Sequence, residues 1–553
     1  MKQMLSILLA GLFLTSGLTV TCTPEGDAAV HFQSNGYVII TTNELADAVE
    51  SLQVWKEFLG YSVDLVTIED ISTGFQGNDT QEKIRNYLID RYQADGIQYV
   101  ILVGSRSSIP MRACHPIPQE FEDIVVDTDY YYADLNGDWN TDGDVYFGEY
   151  SDDAVDFIPE IYVGRLPGDN RETLQRMCRS IIKYESDAGE WKKNALLLGS
   201  IIYYENLEAF EWIYARSDGA TLMEECRRDI FEPNGFPCVA MYEQEGIRPS
   251  TYTCDYPLTR DNALSEWTND YGIVNLLGHA NERYITRFIW GHDDGDGIPE
   301  FEGGELTYLD LLRSSDSDEL SLPVPPIVFS AGCSQLHTSR NMGRAFMEDG
   351  AAVAFIGTTE LGLYNITRVW HDERDGGCFS LDYYFFDYLV NHGQKCGNAL
   401  FNSKVYFSNH FMFNEYNPDW IYRCYSTLYG FNLYGDPSLG VYPEKQDTTP
   451  PAVHVEKPQG GLYVFDRKIV PLSSNATVIF GDITIEIVAD DHETGIDKTE
   501  IRIDGNLKNA SGEEHFYWLW NETAIGRHSL TVTAFDNAGN RRDREREVFI
   551  LNI

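Results

Sequence analysis

Two short runs constrain the fold more than anything else in the chain: Ile273-Val-Asn-Leu-Leu277, followed by Gly278-His279-Ala280, and Ile327-Val-Phe-Ser330, followed by Ala331-Gly332-Cys333. Each is too short for a buried helix and too uniformly apolar for a strand with one wet face. Runs of this kind are central strands of a parallel sheet, covered on both faces. Each ends in a chemically reactive side chain beside small residues, which places a thiol and an imidazole at the carboxyl edge of one sheet. A thiol beside an imidazole is readily deprotonated to the nucleophilic thiolate, and the imidazolium then protonates a leaving amine. Glycine and alanine at the turns leave room for a substrate backbone to approach. His292, His337 and His371 lack this context and read as loop or surface residues.

The segments around these runs agree with a covered parallel sheet. Tyr37 to Thr41, Val63 to Ile68 and Tyr99 to Val103 read as strands, separated by helical stretches at 45–58 and from Asp79 onward. Asp79 with Glu82 has the spacing of a capping box. Ile158 to Pro167 is a further strand and Arg171 to Tyr184 a helix. A second α/β series follows: Ala195 to Leu198, a helix at 218–226, the two runs above, a helix at 340–348 and a strand at 351–356. Strands alternating with helices of this length imply crossover units. The fold class is therefore α/β, doubly wound and mainly parallel, in two subdomains spanning 23–190 and 191–442. The stretch 443–451 reads as a linker from its prolines and polarity. Beyond it, 452–553 shows short alternating strands without a helical period, an all-β sandwich of immunoglobulin type.

Between the strands lie two acidic loops. Asp134, Asn136, Asp138, Asn140 and Asp142 place oxygen side chains at every second residue, a spacing by which backbone wraps a hard cation. The calcium-loop pattern of helix pairs is not met, because its bidentate glutamate falls on Val145. Asp293, Asp296 and Glu300 form a second such loop soon after His279. Structural Ca2+ is the cofactor expected there, and an ion in the second loop would order one wall of the site.

Charge narrows the partners. With 87 acidic and 41 basic residues, the net charge of −46 argues against nucleic acid or an anionic membrane, since phosphate binding needs clustered lysine and arginine. Residues 1–22 carry Lys2, an apolar stretch and small or polar residues before Cys22, the layout of a signal peptide. Export to the extracellular space or cell surface is expected. A lipid anchor at Cys22 is the minority alternative, and no other run is long enough to span a membrane. Only a short segment separates the signal sequence from the first strand, so no propeptide is expected.

With Leu277-Gly-His279-Ala280 and Ser330-Ala-Gly-Cys333 in view, the chain resembles the gingipain-type cysteine peptidases, relatives of caspases, legumain and clostripain. The separation 333 − 279 = 54 is close to the roughly 50 residues between histidine and cysteine in caspases. The resemblance covers roughly residues 36 to 440, and the sandwich after it matches the immunoglobulin-like module that follows the gingipain catalytic domain. It implies a caspase-like fold and a secreted endopeptidase in which Cys333 attacks and His279 transfers the proton. It further implies Glu205, with Glu208 as rival, as the carboxylate behind the imidazole. Asp218 would line a pocket for arginine or lysine, Tyr364 would flank that side chain, and the amide of Ala280 would bind the oxyanion. The chain departs from the family in Gly-His-Ala where glycine is usual, and in a longer histidine-to-cysteine insert. A calcium-dependent adhesion protein on an inactive peptidase scaffold, and a transpeptidase using the same acyl-enzyme, are the alternative readings.

Overall fold

The computed structural model describes residues 36–116, 124–208, 216–363, 376–412, 420–442, 449–472, 476–491 and 494–553. The signal-peptide segment with Cys22, most of the linker, His371 and Tyr364 lie outside them. The chain divides into two compact units, with the change at residues 447/448.

The larger unit is built on one continuous sheet of eleven strands. In spatial order they are Tyr256–Pro257, Cys238–Tyr242, Ala195–Gly199, Ile273–Leu277, Ile327–Ser330, Ala354–Thr358, Phe431–Tyr434, Tyr162–Leu166, Ile97–Val103, Gly36–Thr41 and Ser62–Thr67. Neighbours run parallel throughout except where Ala354–Thr358 meets Phe431–Tyr434, which is antiparallel. The two α/β halves read from the sequence thus fuse edge to edge, with one reversal at the seam. Phe431–Tyr434, late in the chain, pairs with Tyr162–Leu166 of the first half. The central strands have no exposed residue, as helices on both faces require.

Local chemistry explains the helix starts. Asp79 caps helix Thr80–Asp95 by accepting from the Glu82 amide at 2.8 Å. The reciprocal bond reaches one residue further back, from the Asn78 amide to the Glu82 carboxylate. At the seam, Arg165 is wholly buried and its guanidinium holds both oxygens of Asp129, at 2.7 and 2.6 Å. Its remaining nitrogen donates to the carbonyls of Gly104 and Ile109, so no polar atom is stranded there. Such a pair fixes geometry more than it adds stability, but losing one partner is costly.

The smaller unit packs a three-stranded sheet (Ala452–Lys457, Ile483–Asp490, His515–Trp520) with a seven-stranded one. Ile485, Ile501, Val532, Ile550 and Trp520 sit between them in a common core. The alternating burial along Ile483–Asp490 is the period-two pattern read from the sequence.

Candidate active site

The strands carrying the two reactive residues are hydrogen-bonded neighbours, in register from Ile273 opposite Ile327 to Leu276 opposite Ser330. His279 and Cys333 therefore emerge at the same edge, two and three residues beyond their strand ends. The turns are packed against each other. A methyl group added to Gly332 would lie 2.7 Å from the Ala280 Cβ and 2.8 Å from the Gly278 carbonyl. Only a residue without a side chain fits between the histidine and cysteine turns. Ser334, just after the cysteine, takes the left-handed conformation at φ 56°, and its amide donates to the Glu360 carbonyl. Backbone strain of this kind gathers at functional sites. Gln335 is buried beneath the turn, where its amide bonds Ser330 Oγ at 2.7 Å and, in the orientation that satisfies both ends, donates to the Gly332 carbonyl at 3.0 Å.

The histidine is held from behind by backbone. Its Nε2 lies 2.7 Å from the Ile202 carbonyl, on the strand Ile201–Tyr203. A carbonyl oxygen only accepts, so Nε2 carries the proton and the lone pair of the neutral ring is on Nδ1. Three aromatic rings pack edge-on around the imidazole: Tyr203 at 5.5 Å, Phe288 at 5.6 Å and Tyr308 at 5.2 Å. A thiolate at Cys333 would raise the pKa of both Tyr203 and Tyr308, so the sulfur lies near two of the rings that pack on the imidazole.

Burial sets the resting charge state. It lowers the His279 pKa, against a smaller opposing effect of the Ile202 carbonyl. It raises the Cys333 thiol, with Glu360 adding to the rise and the Gly362 backbone opposing it. Both shifts favour the uncharged forms, thiol and neutral imidazole, so the thiolate forms by proton transfer to the imidazole. Desolvation disfavours both charges in a cleft walled by aromatic rings.

The remaining expected residues are distributed differently. Glu205 does not support the imidazole: its carboxylate pairs with Arg248, and the ring N–H it was expected to accept goes to the Ile202 carbonyl. Glu208 is exposed, and its amide bonds the Pro299 carbonyl. Asp218 is buried one strand away from the histidine's support, with Ser217–Asp218 paired to Ile201–Tyr203. Its carboxylate caps helix Gly219–Cys226 and lies 3.2 Å from the Arg216 guanidinium, which itself sits over the Tyr204 ring. Burial raises the Asp218 pKa, while Arg216 and Ser250 oppose the rise. Ala280 pairs with Ile285 in a small antiparallel sheet that begins at the histidine.

Of the residues expected in the acidic loops, Asp142 and Asp293 stand in groups of carboxylates, and the others bond as follows. Asp134 is buried and bonds back to the Gly137 amide, Asn136 donates to Glu160, and Asp138 caps the Asn140 amide. Asn140 donates to the Asp144 carbonyl. Asp134, Asp138 and Asn140 each close a turn of their own backbone and Asn136 turns to Glu160, so these four side chains bond in separate places. Among the described residues, the carboxylates that do gather are Asp142, Asp144 and Glu149, and Asp293, Asp294 and Glu305, each set with oxygens within 4.8 Å of one another. Asp296 instead caps the Ile298 amide, and Glu300 stands outside the second set. A spread of 4.8 Å is about twice a Ca–O bond, so both triads have the size and donors for a hard cation. Burial and the neighbouring Asp144, Asp153 and Asp142 push Glu149 up to about 7, a repulsion that a cation would relieve.

Sequence reasoning missed Ile202, Tyr203, Phe288, Tyr308 and Gln335. Ile202 acts through its carbonyl, which leaves no trace in residue type. Tyr308 could have been found from the alternation in Tyr284–Trp290 and Leu306–Arg313, a hairpin within the insert.

The fold and the paired rim residues define the scaffold class of the cysteine peptidases with a Cys–His dyad on an α/β sheet. Over residues 31–442 the chain matches the model of Peptidase family C25, and it belongs to that family. Residues 468–532 match a bacterial Ig domain. The crystal structure of the Arg-specific cysteine proteinase gingipain R is similar in fold, with TM-score 0.51 and 16% identity over 95% of this chain and 100% of that one. The complex of the pro- and mature domains of RgpB from Porphyromonas gingivalis gives TM-score 0.50 and 15% identity over 93% and 99%. An uncharacterized protein of Archaeoglobus fulgidus is 22% identical over 320 residues, and the alignment covers 54% of this chain and 65% of that protein's length.

Proposed function

We propose that the protein is an exported cysteine endopeptidase that cleaves after arginine or lysine. The observation that carries the peptidase reading is the contact between the two reactive turns at Gly332, Ala280 and Gly278, with the imidazole held at Nε2 and its Nδ1 left for the thiol. In this reading Nδ1 of His279 takes the Cys333 proton as sulfur attacks the scissile carbonyl. The same proton then goes to the leaving amine, and water releases the acyl group by the reverse route. The amides of Ala280 and Cys333 bind the developing oxyanion, worth about 2.7 to 4 kcal/mol per donor in well-studied proteases.

Asp218 supports the basic preference. It is a buried carboxylate near the site, already holding one guanidinium beside an aromatic ring, and a substrate arginine can exchange with Arg216. The Arg specificity named for gingipain R agrees with this preference. The excess of acidic residues and the N-terminal apolar stretch support export, and the two carboxylate triads support structural calcium.

Hydrolysis of a peptide library by the wild type and by Cys333→Ala tests the reading. Cleavage after basic residues in the first and none in the second is expected; cleavage surviving in the variant removes the dyad. Asp218→Asn is expected to lower turnover of basic substrates selectively, and an equal loss on all substrates would make Asp218 structural.

A further inference from the structure

The segment between the two reactive residues builds an antiparallel hairpin, Tyr284–Trp290 with Leu306–Arg313, onto the short strand that His279 itself begins. Its register decides what surrounds the imidazole. His279 lies opposite Thr286, and Phe288, two residues on, shares that face. Phe288 is in turn directly opposite Tyr308, and their rings stack at 4.6 Å and 20°. Phe301 packs against both rings, 5.9 Å and 24° from Tyr308 and 6.0 Å and 32° from Phe288. Phe288 is fully buried, but Tyr308 remains 45% and Phe301 44% exposed. Two stacked rings half open to water, one of which (Tyr308) is in ring contact with His279, form an apolar patch continuous with the reacting centre.

We propose that Tyr308 and Phe301 form a ledge that receives an aromatic or large aliphatic side chain of the substrate, from the residue directly after the cleaved bond. This rests on the peptidase reading of His279 and Cys333. The direction follows from proton transfer: the leaving amine must come to the imidazole, so the half-peptide that departs passes over the rings packed on that imidazole. Glycine at that position leaves both rings wet, whereas a phenylalanine or leucine covers them. The Asp218 region, on the strand paired with the histidine's support strand, is left to the residue before the bond.

The test is cleavage-site sequencing by mass spectrometry on a peptide library randomised on both sides of every bond, using the full chain. For the wild type, Phe, Tyr, Trp and Leu are expected to be enriched about tenfold over Gly directly after the cleaved bond. Tyr308→Ala and Phe301→Ala are each expected to lose most of that enrichment and keep the wild-type preference before the bond. The ratio reads the ledge independently of any change in overall rate. No enrichment after the bond in the wild type, or the same enrichment in both variants, overturns the ledge. Failure of the underlying reading looks different: Cys333→Ala would then cleave as well as the wild type, whatever its site preference.

Discussion

The Ile202 carbonyl lies 2.7 Å from Nε2 of His279, so the group behind the imidazole is backbone and carries no charge. A carboxylate there would favour the imidazolium; a carbonyl fixes the tautomer and leaves burial to lower the pKa. Activity needs neutral imidazole and a thiol, so the plateau of kcat/KM against pH is expected to run from below 6.5, the ordinary imidazole value, to above 9.0, the ordinary thiol value. The stability sign follows. A folded-state pKa below the unfolded one favours the neutral form, so this contribution is full above pH 6.5 and is lost as pH falls from there toward the lowered value. An acidic limb centred above 6.5 in the pH–rate profile would contradict this assignment.

Glu205→Gln is expected to leave the chemistry nearly intact. Its partner Arg248 is half exposed, and exposed pairs contribute about 0–1 kcal/mol. Steady-state kinetics should show kcat/KM within about fivefold of wild type. A loss of several hundredfold would restore Glu205 to the catalytic machinery.

Gly332→Ala is expected to inactivate without unfolding. The added methyl meets the Ala280 Cβ at 2.7 Å and the Gly278 carbonyl at 2.8 Å, so the histidine and cysteine turns must part. Misplacement by about 1 Å costs on the order of 100-fold in rate. Circular dichroism with kinetics on the same sample checks both halves of the expectation.

Arg165→Met is expected to destabilise the larger unit by about 3–5 kcal/mol, because Asp129 would be left buried without its partner. Arg165→Lys is expected to recover little, since one ammonium cannot replace the two-pronged contact and both carbonyl contacts. Denaturant unfolding of the variants measures this.

If calcium occupies the triads, chelation is expected to lower the thermal midpoint, and Asp294→Asn or Glu149→Gln is expected to diminish that drop. Asp138→Asn, which removes no member of either triad, is expected to leave it unchanged. Differential scanning fluorimetry with and without chelator distinguishes them.

The strand ends that carry His279 and Cys333 were legible because a short apolar run bounded by glycine has few other uses. The helix cap at Asp79 was legible for a similar local reason: its partner Glu82 is three residues away. The acidic loops show the limit. Alternation in Asp134 to Asp142 was visible, but carboxylates choose between closing their own turns and facing a common point, and only the folded backbone makes that choice. Glu205 failed for a different reason, since the competing acceptor was a main-chain oxygen and the competing partner, Arg248, lies 43 residues away.

By itself the sequence determined the elements whose cause is local: buried parallel strands, caps, a β-sandwich after a proline-rich boundary, and which two side chains carry reactive atoms. Tertiary structure alone decided that the two halves share one sheet with a single reversal, that Ile202 holds the imidazole, and that Tyr308 and Phe288 wall it. These depend on strand order and register between residues far apart in the chain, where contact is set by which surfaces bury together rather than by the identity of any one residue.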